Sequence, residues 1–247
     1  MVQKTSLYSI ITPREELHLR NDTKRNFSGR LRYDLTTLDG EVIKSLNRSI
    51  TIKANSQQSF TNSLNVKDPK CWSPENPNLH YLNVRIISRD GKVIDGYRRR
   101  IGIRNAEFRG KEGFFLNGKK YTKPLMGANR HQDFAVVGNA LTNSMHWRDA
   151  KKLRELDFKI IRNAHYTQDP AFMDACDELG LFVIVATPGW QFWSQEPIFA
   201  ERVYSDIRNM VRRDRNHPSA IIWEPILNET RYPADFAQKA RDFVKAE

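Results

Sequence analysis

The hydrophobic period changes once along this chain, near residue 105. That change fixes the domain plan, because a strand buries alternate residues whereas a helix buries every third or fourth. From residue 6 to about 105 the period is two: Leu31, Tyr33 and Leu35 alternate with Arg30, Arg32, Asp34 and Thr36, and Leu82, Val84 and Ile86 alternate with Asn83 and Arg85. This is the pattern of strands with one buried face. Asp39-Gly40 and Asp90-Gly91 stand between such runs, and Asp-Gly supplies the positive φ that a tight hairpin requires. About seven short strands over ~100 residues predict an immunoglobulin-like β-sandwich for residues 1–105.

Beyond Arg104 an Asn117-Gly118 hairpin leads into an apolar stretch, Pro124 to Ala128, read as a strand. A helix is expected over 143–157, where Trp147, Ala150, Leu153 and Leu156 recur at spacings of three, and a strand over Lys159 to Asn163. Asp169-Pro170 reads as cap and first residue of a second helix, which Gly180 stops. Leu181 to Ala186 is the third strand, Phe199 to Val211 the third helix, Ala220 to Trp223 the fourth strand and Phe236 to Val244 the fourth helix. Fourfold alternation predicts a parallel sheet, open or closed. No Gly-x-Gly-x-x-Gly follows any strand, which removes the main support for a dinucleotide-binding sheet and favours a (β/α)8 TIM barrel. A whole barrel takes about 250 residues, so residues 106–247 are read as the first half of one, with the remainder expected past Glu247.

Composition limits what such a chain can do. The longest apolar run, Leu181 to Ala186, is six residues, far short of the ~18 that cross a bilayer, so no membrane partner is expected. Met1 to Ile11 has no apolar core with a cleavage site, so a signal peptide is unsupported and the compartment stays undetermined. Cys71 and Cys176 fall in different expected domains, which argues against a disulfide or a cysteine-based metal site. The formal net charge is +11, with 19 basic and 10 acidic residues up to 105 and 21 and 19 after it. Bases spread singly along alternating segments fit a solvated sheet face, with Arg98 to Arg100 the one run. A nucleic-acid partner is not expected, although a basic sandwich binding nucleic acid is the competing reading of that excess.

Barrel chemistry sits at the carboxyl ends of the strands, and there the sequence is polar. The first strand delivers Asn129, Arg130 and His131, the second Arg162, Asn163, His165 and Tyr166, the third Thr187 and Trp190, and the fourth Asn228 and Glu229. Such a set suits a sugar, whose hydroxyls need fixed donors and acceptors, whose ring faces stack on aromatics, and whose glycosidic oxygen needs a carboxyl proton. A structural ion pair is the alternative for Arg162. Strand capping or packing is the alternative for His131 and His165, and a buried aromatic cluster for Trp190, Phe192 and Trp193. His217 precedes the fourth strand and is read as structural.

Five ordered stretches carry a resemblance. They are Cys71-Trp-Ser-Pro-Glu-Asn-Pro-Asn-Leu-His-Tyr81, Ile101-Gly-Ile-Arg104, Phe115-Leu-Asn-Gly118 with Gly127-Ala-Asn-Arg-His131, Arg162 to Tyr166 with Asp169-Pro170 and Cys176-Asp-Glu-Leu-Gly180, and Asn216-His-Pro-Ser219 through Trp223 to Asn228-Glu229. Together they resemble the family 2 glycoside hydrolases, the group of β-galactosidases, β-glucuronidases and β-mannosidases. The resemblance implies a retaining exo-acting β-glycosidase, most like a β-galactosidase, with Glu229 as general acid then base and Asn228 on the sugar 2-hydroxyl. It implies that His131 and His165 contact sugar and that the nucleophile lies beyond Glu247. Gln132 stands where many members have Glu, and Ala186-Thr187 where many have Asp-Glu; the latter change removes a carboxylate that metal-using members could employ, so no metal is expected from these residues, and no cofactor is expected. Trp223 to Asn228 is one residue longer than the family's usual spacing, which predicts a bulge. Glu224 and Glu229 are an odd number of positions apart and would face opposite ways in one extended strand. A non-catalytic carbohydrate-binding or scaffold module of the same fold is the alternative function. Half a barrel leaves strand edges open, so association between copies is expected.

Overall fold

The structure, a computed structural model, describes residues 10–11, 14–189, 192–227 and 230–247. Its strands are, in chain order, β1 (Ile10–Ile11), β2 (Arg14–Asn21), β3 (Phe27–Thr36), β4 (Val42–Ile52), β5 (Ser56–Ser63), β6 (Val66–Lys67), β7 (His80–Ser88), β8 (Val93–Ile101), β9 (Ala106–Phe108), β10 (Phe114–Leu116), β11 (Lys119–Lys120) and β12 (Gly127–Arg130). Then helices join the sequence: α1 (Asn143–Glu155), β13 (Ile160–Asn163), α2 (Pro170–Leu179), β14 (Phe182–Ala186), α3 (Pro197–Asp214), β15 (Ala220–Glu224) and α4 (Ala234–Ala246). Two compact units hold these elements, the first formed by residues 1–71, 78–105 and 115–119, the second by 72–77, 106–114 and 120–247.

The first unit is the sandwich. Strands β4, β3, β7 and β8 form one antiparallel sheet in that order, and β2 pairs with β5 in another. Leu31, Tyr33 and Leu35 are fully buried and pack with Ile50, Phe60 and Val84, as the period-two pattern requires. On that face Tyr33 Oη accepts a 2.6 Å hydrogen bond from Asn62 Nδ2 of β5. Both expected hairpins form: Gly40 has φ +95° and Gly91 φ +86°. In the second, Gly91 N donates to Ser88 O and Ser88 N to Lys92 O. Asn117 and Gly118 both take positive φ, the signature of a type I′ turn.

The second unit is a partial TIM barrel, a parallel sheet β12-β13-β14-β15 whose strands alternate with α1 to α4. Helix α2 is bounded as read: Asp169 Oδ1 accepts from Ala171 N at 2.8 Å, and Gly180 closes the helix at φ +71°. That glycine also lets Pro74 O approach; a Cβ would lie 2.3 Å from it. Trp72 belongs to this unit too, fully buried with Nε1 donating to Asp177 O at 2.8 Å. Among the strands of the parallel sheet, the start of the first differs most from expectation. The first strand begins at Gly127 rather than Pro124, because proline lacks the N–H that a sheet ladder needs. The fourth ends at Glu224, one residue past the expected Trp223, and bends at 225 and 226 follow, so the strand stops short of Asn228-Glu229. A bulge lies within the strand at Ile221, where Val183 pairs with Ala220 and Ile184 with Ile222; the one expected between Trp223 and Asn228 falls on a segment whose end lies outside the described residues.

Candidate active site

Strand register decides which polar side chains meet. Asn129 pairs with Arg162, Arg162 with Ile184, Ile184 with Ile222, and Ala186 with Glu224, so these residues share one face of the sheet. The other face carries Ile161, Val183 and Val185, packed in one core with Phe172, Met173, Cys176 and Met210 of the helices. Arg130 and Asn163 pair on that second face. Arg130, expected to converge with Asn129 and His131, therefore turns into the helix layer. Its Nη2 donates to Asp149 Oδ2 at 2.8 Å and lies 3.2 Å from His146 Nδ1, and its Nη1 donates to Gln168 Oε1. The guanidinium sits 4.1 Å above the Phe172 ring and is 6% exposed. Gln168 Nε2 returns a hydrogen bond to Arg130 O. Burial, with the Arg130 charge beside it, holds the His146 imidazole below its ordinary pKa. Sequence reasoning found no role for His146 or Gln168; the signal available was only that both are polar and flank apolar helical positions.

On the first face Arg162 is locked to Glu224. Nε donates to Oε2 at 2.8 Å and Nη2 to Oε1 at 2.6 Å, fork to fork, with both side chains about 20% exposed. The structural ion-pair reading of Arg162 is thus realised, with a partner 62 residues away that the sequence did not indicate. The third nitrogen, Nη1, lies 3.2 Å from His165 Nε2, and the His165 and His131 rings are 5.4 Å apart between centroids. Asn129, Arg162, Glu224, His165 and His131 accordingly form one polar string beginning inside the sheet and leaving it at the carboxyl ends of β12 and β13. Gln132 braces its exit: Gln132 N donates to Tyr166 Oη at 2.8 Å, Gln132 Oε1 accepts from Asp169 N at 2.7 Å, and Nε2 reaches Asn139 O at 3.4 Å. A carboxylate at 132 could not make the last of these.

Asn228, Glu229 and Trp190 lie outside the described residues. The segments on either side of them, after β14 and after β15, line a small open cleft walled by Thr187, Gly189, Phe192, Leu227, Thr230 and Tyr232 among others. Phe192 is 60% exposed. Trp193 instead packs edge-on against Phe199 and Phe236 at 5.4 and 4.6 Å, which gives it the buried-cluster role.

At the opposite end of β15, His217 Nδ1 lies 2.6 Å from Asp177 Oδ2 and Ser219 N donates to Asp177 Oδ1. This ties the turn before β15 to α2, as a structural histidine should. Asp174 completes a group whose donor atoms lie within 4.8 Å of one another, the one set among the described residues with the composition of a metal site. It stands away from the string of His131 and Arg162, at the amino-terminal ends of the strands.

Two family models match. One, for the TIM barrel domain of glycosyl hydrolases family 2, covers residues 108–246, more than half of the chain; the other, for glycosyl hydrolases family 2, covers 14–104. The chain belongs to glycosyl hydrolases family 2. Among relatives in this family, a β-galactosidase from Thermoanaerobacter pseudethanolicus is 32% identical over 218 residues, which is 88% of this chain and 28% of the relative. A β-galactosidase from Thermoanaerobacterium thermosulfurigenes is 39% identical over 168 residues, 68% of this chain and 23% of its own length. The crystal structure of a Bacteroides uniformis β-glucuronidase superposes with a TM-score of 0.86 at 28% identity, over 97% of this chain and 31% of that one. This family 2 chain thus spans about a quarter to a third of the length of these relatives.

Proposed function

We propose that the chain is the part of a retaining β-glycosidase that carries the acid–base carboxyl group, acting on terminal β-linked sugars and most like a β-galactosidase. Residues 1–105 are the sandwich domain of this reading and 106–247 the first half of the catalytic barrel. The observation that carries it is the family match over 108–246, within which Asn228-Glu229 follows β15 by only a few residues. The neighbouring carboxylate, Glu224, is poorly placed for proton transfer because Arg162 donates to both its oxygens and leaves neither turned to a leaving oxygen. Glu229 then protonates the leaving oxygen and later activates water, and Asn228 bonds the 2-hydroxyl. His131 and His165 bond further hydroxyls, with His165 oriented by Arg162. Trp190 and Phe192 offer ring faces to the sugar. Names among the relatives divide between β-galactosidase and β-glucuronidase, so the sugar at the 4- and 6-positions follows from contacts made elsewhere.

The test is a Glu229→Ala substitution in a full-length protein carrying this sequence. Loss of acid assistance should cost about 10²- to 10⁴-fold on an unactivated disaccharide, and far less in the first step with a dinitrophenyl glycoside. Azide, which needs no base, should accelerate the stalled second step and yield a glycosyl azide of retained configuration. Equal losses for good and poor leaving groups, with no effect of azide, would show that Glu229 is not the acid–base group.

A further inference from the structure

The outward face of the four-stranded sheet in the sandwich carries five arginines, no lysine and one carboxylate. Register aligns its residues in rows across β4, β3, β7 and β8: Ser49, Arg30, Ile87 and Val93; then Asn47, Arg32, Arg85 and Gly96; then Ser45, Asp34, Asn83 and Arg98; then Val42, Thr36, Tyr81 and Arg100. Read diagonally, Arg30, Arg32, Arg85, Arg98 and Arg100 form a band across the sheet. With strands ~4.8 Å apart and alternate residues ~6.8 Å apart, the band is about 20 Å long.

An ordinary solvated face holds its long side chains loosely. Here three of the five are fixed. Asp34 points outward yet its side chain is only 2% exposed, because Arg32 Nε donates to it at 2.9 Å, Arg85 Nη2 lies at 3.4 Å and Ser45 Oγ donates at 2.5 Å. Arg98 Nε donates to Asn83 Oδ1 at 2.7 Å and its guanidinium lies 4.9 Å above the Tyr81 ring, while Asn83 Nδ2 donates to Asp34 O at 3.3 Å. One buried carboxylate and one amide thus hold three guanidinium groups across the strands, so three ordered cations stand against the one carboxylate, and their ordering cost is met on folding.

From this arrangement we propose that the sheet face is a docking surface for a linear polyuronate, a polysaccharide bearing a carboxylate on each of successive sugars. Planar forks without lysine point charges match planar carboxylates two bonds at a time, and a flat sheet suits an extended chain. Single-stranded nucleic acid is disfavoured because its binders stack bases on open aromatic rings, and the one ring on this face, Tyr81, is covered by Arg98. This inference does not rest on the catalytic reading, since it concerns the other compact unit.

The experiment is affinity electrophoresis of the 247-residue protein at about 100 mM salt in gels containing polygalacturonate, its methyl ester, a sulfated galactan or single-stranded DNA. Retardation by polygalacturonate and not by the ester is expected. Arg30→Ser with Arg98→Ser should weaken it by about tenfold, the effect of losing two charge-assisted contacts. Lys151→Ala with Lys152→Ala on α1, which removes the same charge, should change it less than twofold. Asp34→Asn adds positive charge but frees Arg32 and Arg85, so weaker binding is expected, with circular dichroism reporting that the sheet is retained. Should Asp34→Asn unfold the protein, the two double variants carry the test alone. No retardation by polygalacturonate, equal losses in the two double variants, or displacement of polygalacturonate by DNA or sulfated galactan at lower charge concentration would each overturn the proposal.

Discussion

Both oxygens of Glu224 are engaged by Arg162, so removing either partner strands the other charge among the strands. A fully buried pair broken this way costs 3–5 kcal/mol; with one-fifth of each side chain exposed, screening reduces it. Arg162→Met is expected to lose about 2 kcal/mol in urea denaturation. The double variant Arg162→Met, Glu224→Met should recover most of that loss, because two apolar side chains leave no stranded charge. A second residue-level consequence concerns pH. Burial holds His146 below its ordinary pKa, so the unfolded chain takes up the proton first. The stability this provides is present above the unfolded pKa of ~6.5 and is lost as pH falls through the folded value. His146→Gln should therefore flatten the decline of the urea midpoint between pH 7.5 and 5.

At the scale of the element, two glycines fix how strands and helices approach. A Cβ on Gly127 would lie 1.8 Å from Ile160 O, and one on Gly180 2.3 Å from Pro74 O at a φ of +71°. Gly180→Ala combines left-handed strain of about 1–2 kcal/mol with displacement of backbone. It should destabilise the barrel unit by more than Asp169→Ala, which removes only a helix cap worth about 1 kcal/mol at the other end of the same helix. Gly127→Ala should act locally, detaching the edge strand β12 from β13. Amide exchange at Ile160 to Asn163 should accelerate while β14 keeps its protection. Equal protection in both proteins would mean that β12 tolerates the shift.

At the scale of the whole molecule, double displacement needs two carboxyl groups about 5–5.5 Å apart. With Glu224 held by Arg162, the 247-residue chain is expected to turn over no nitrophenyl β-galactoside, β-glucuronide or β-mannoside. Turnover abolished by Glu229→Gln would contradict this. Strands β12 and β15 end the parallel sheet on either side, and open strand edges recruit further strands. Light scattering should show association of the 247-residue chain that increases with concentration; a monomer throughout would count against it.

What the sequence determined by itself acts over a few residues. Alternation at Leu31, Tyr33 and Leu35 chose the buried face of β3, Asp-Gly set two hairpins, and Asp169-Pro170 with Gly180 bounded α2 to the residue. Each works through local geometry: the period of side-chain direction, a positive φ, a cap hydrogen bond. The start of β12 was not legible, because an apolar stretch has the same composition whether or not a neighbouring strand is in register to bond it. The period of two puts Asn129 and Arg130 on opposite faces, but which of the two lies on the face of Arg162 and Glu224 was not decided before the pairing with Arg162 and Asn163 was known. The junctions of Arg162 with Glu224 and of Arg130 with Asp149 and Gln168 were decided by tertiary structure alone. Nothing local encodes them, since they exist only once the parallel sheet has brought distant segments to hydrogen-bonding distance and excluded the water that would otherwise solvate each charge separately.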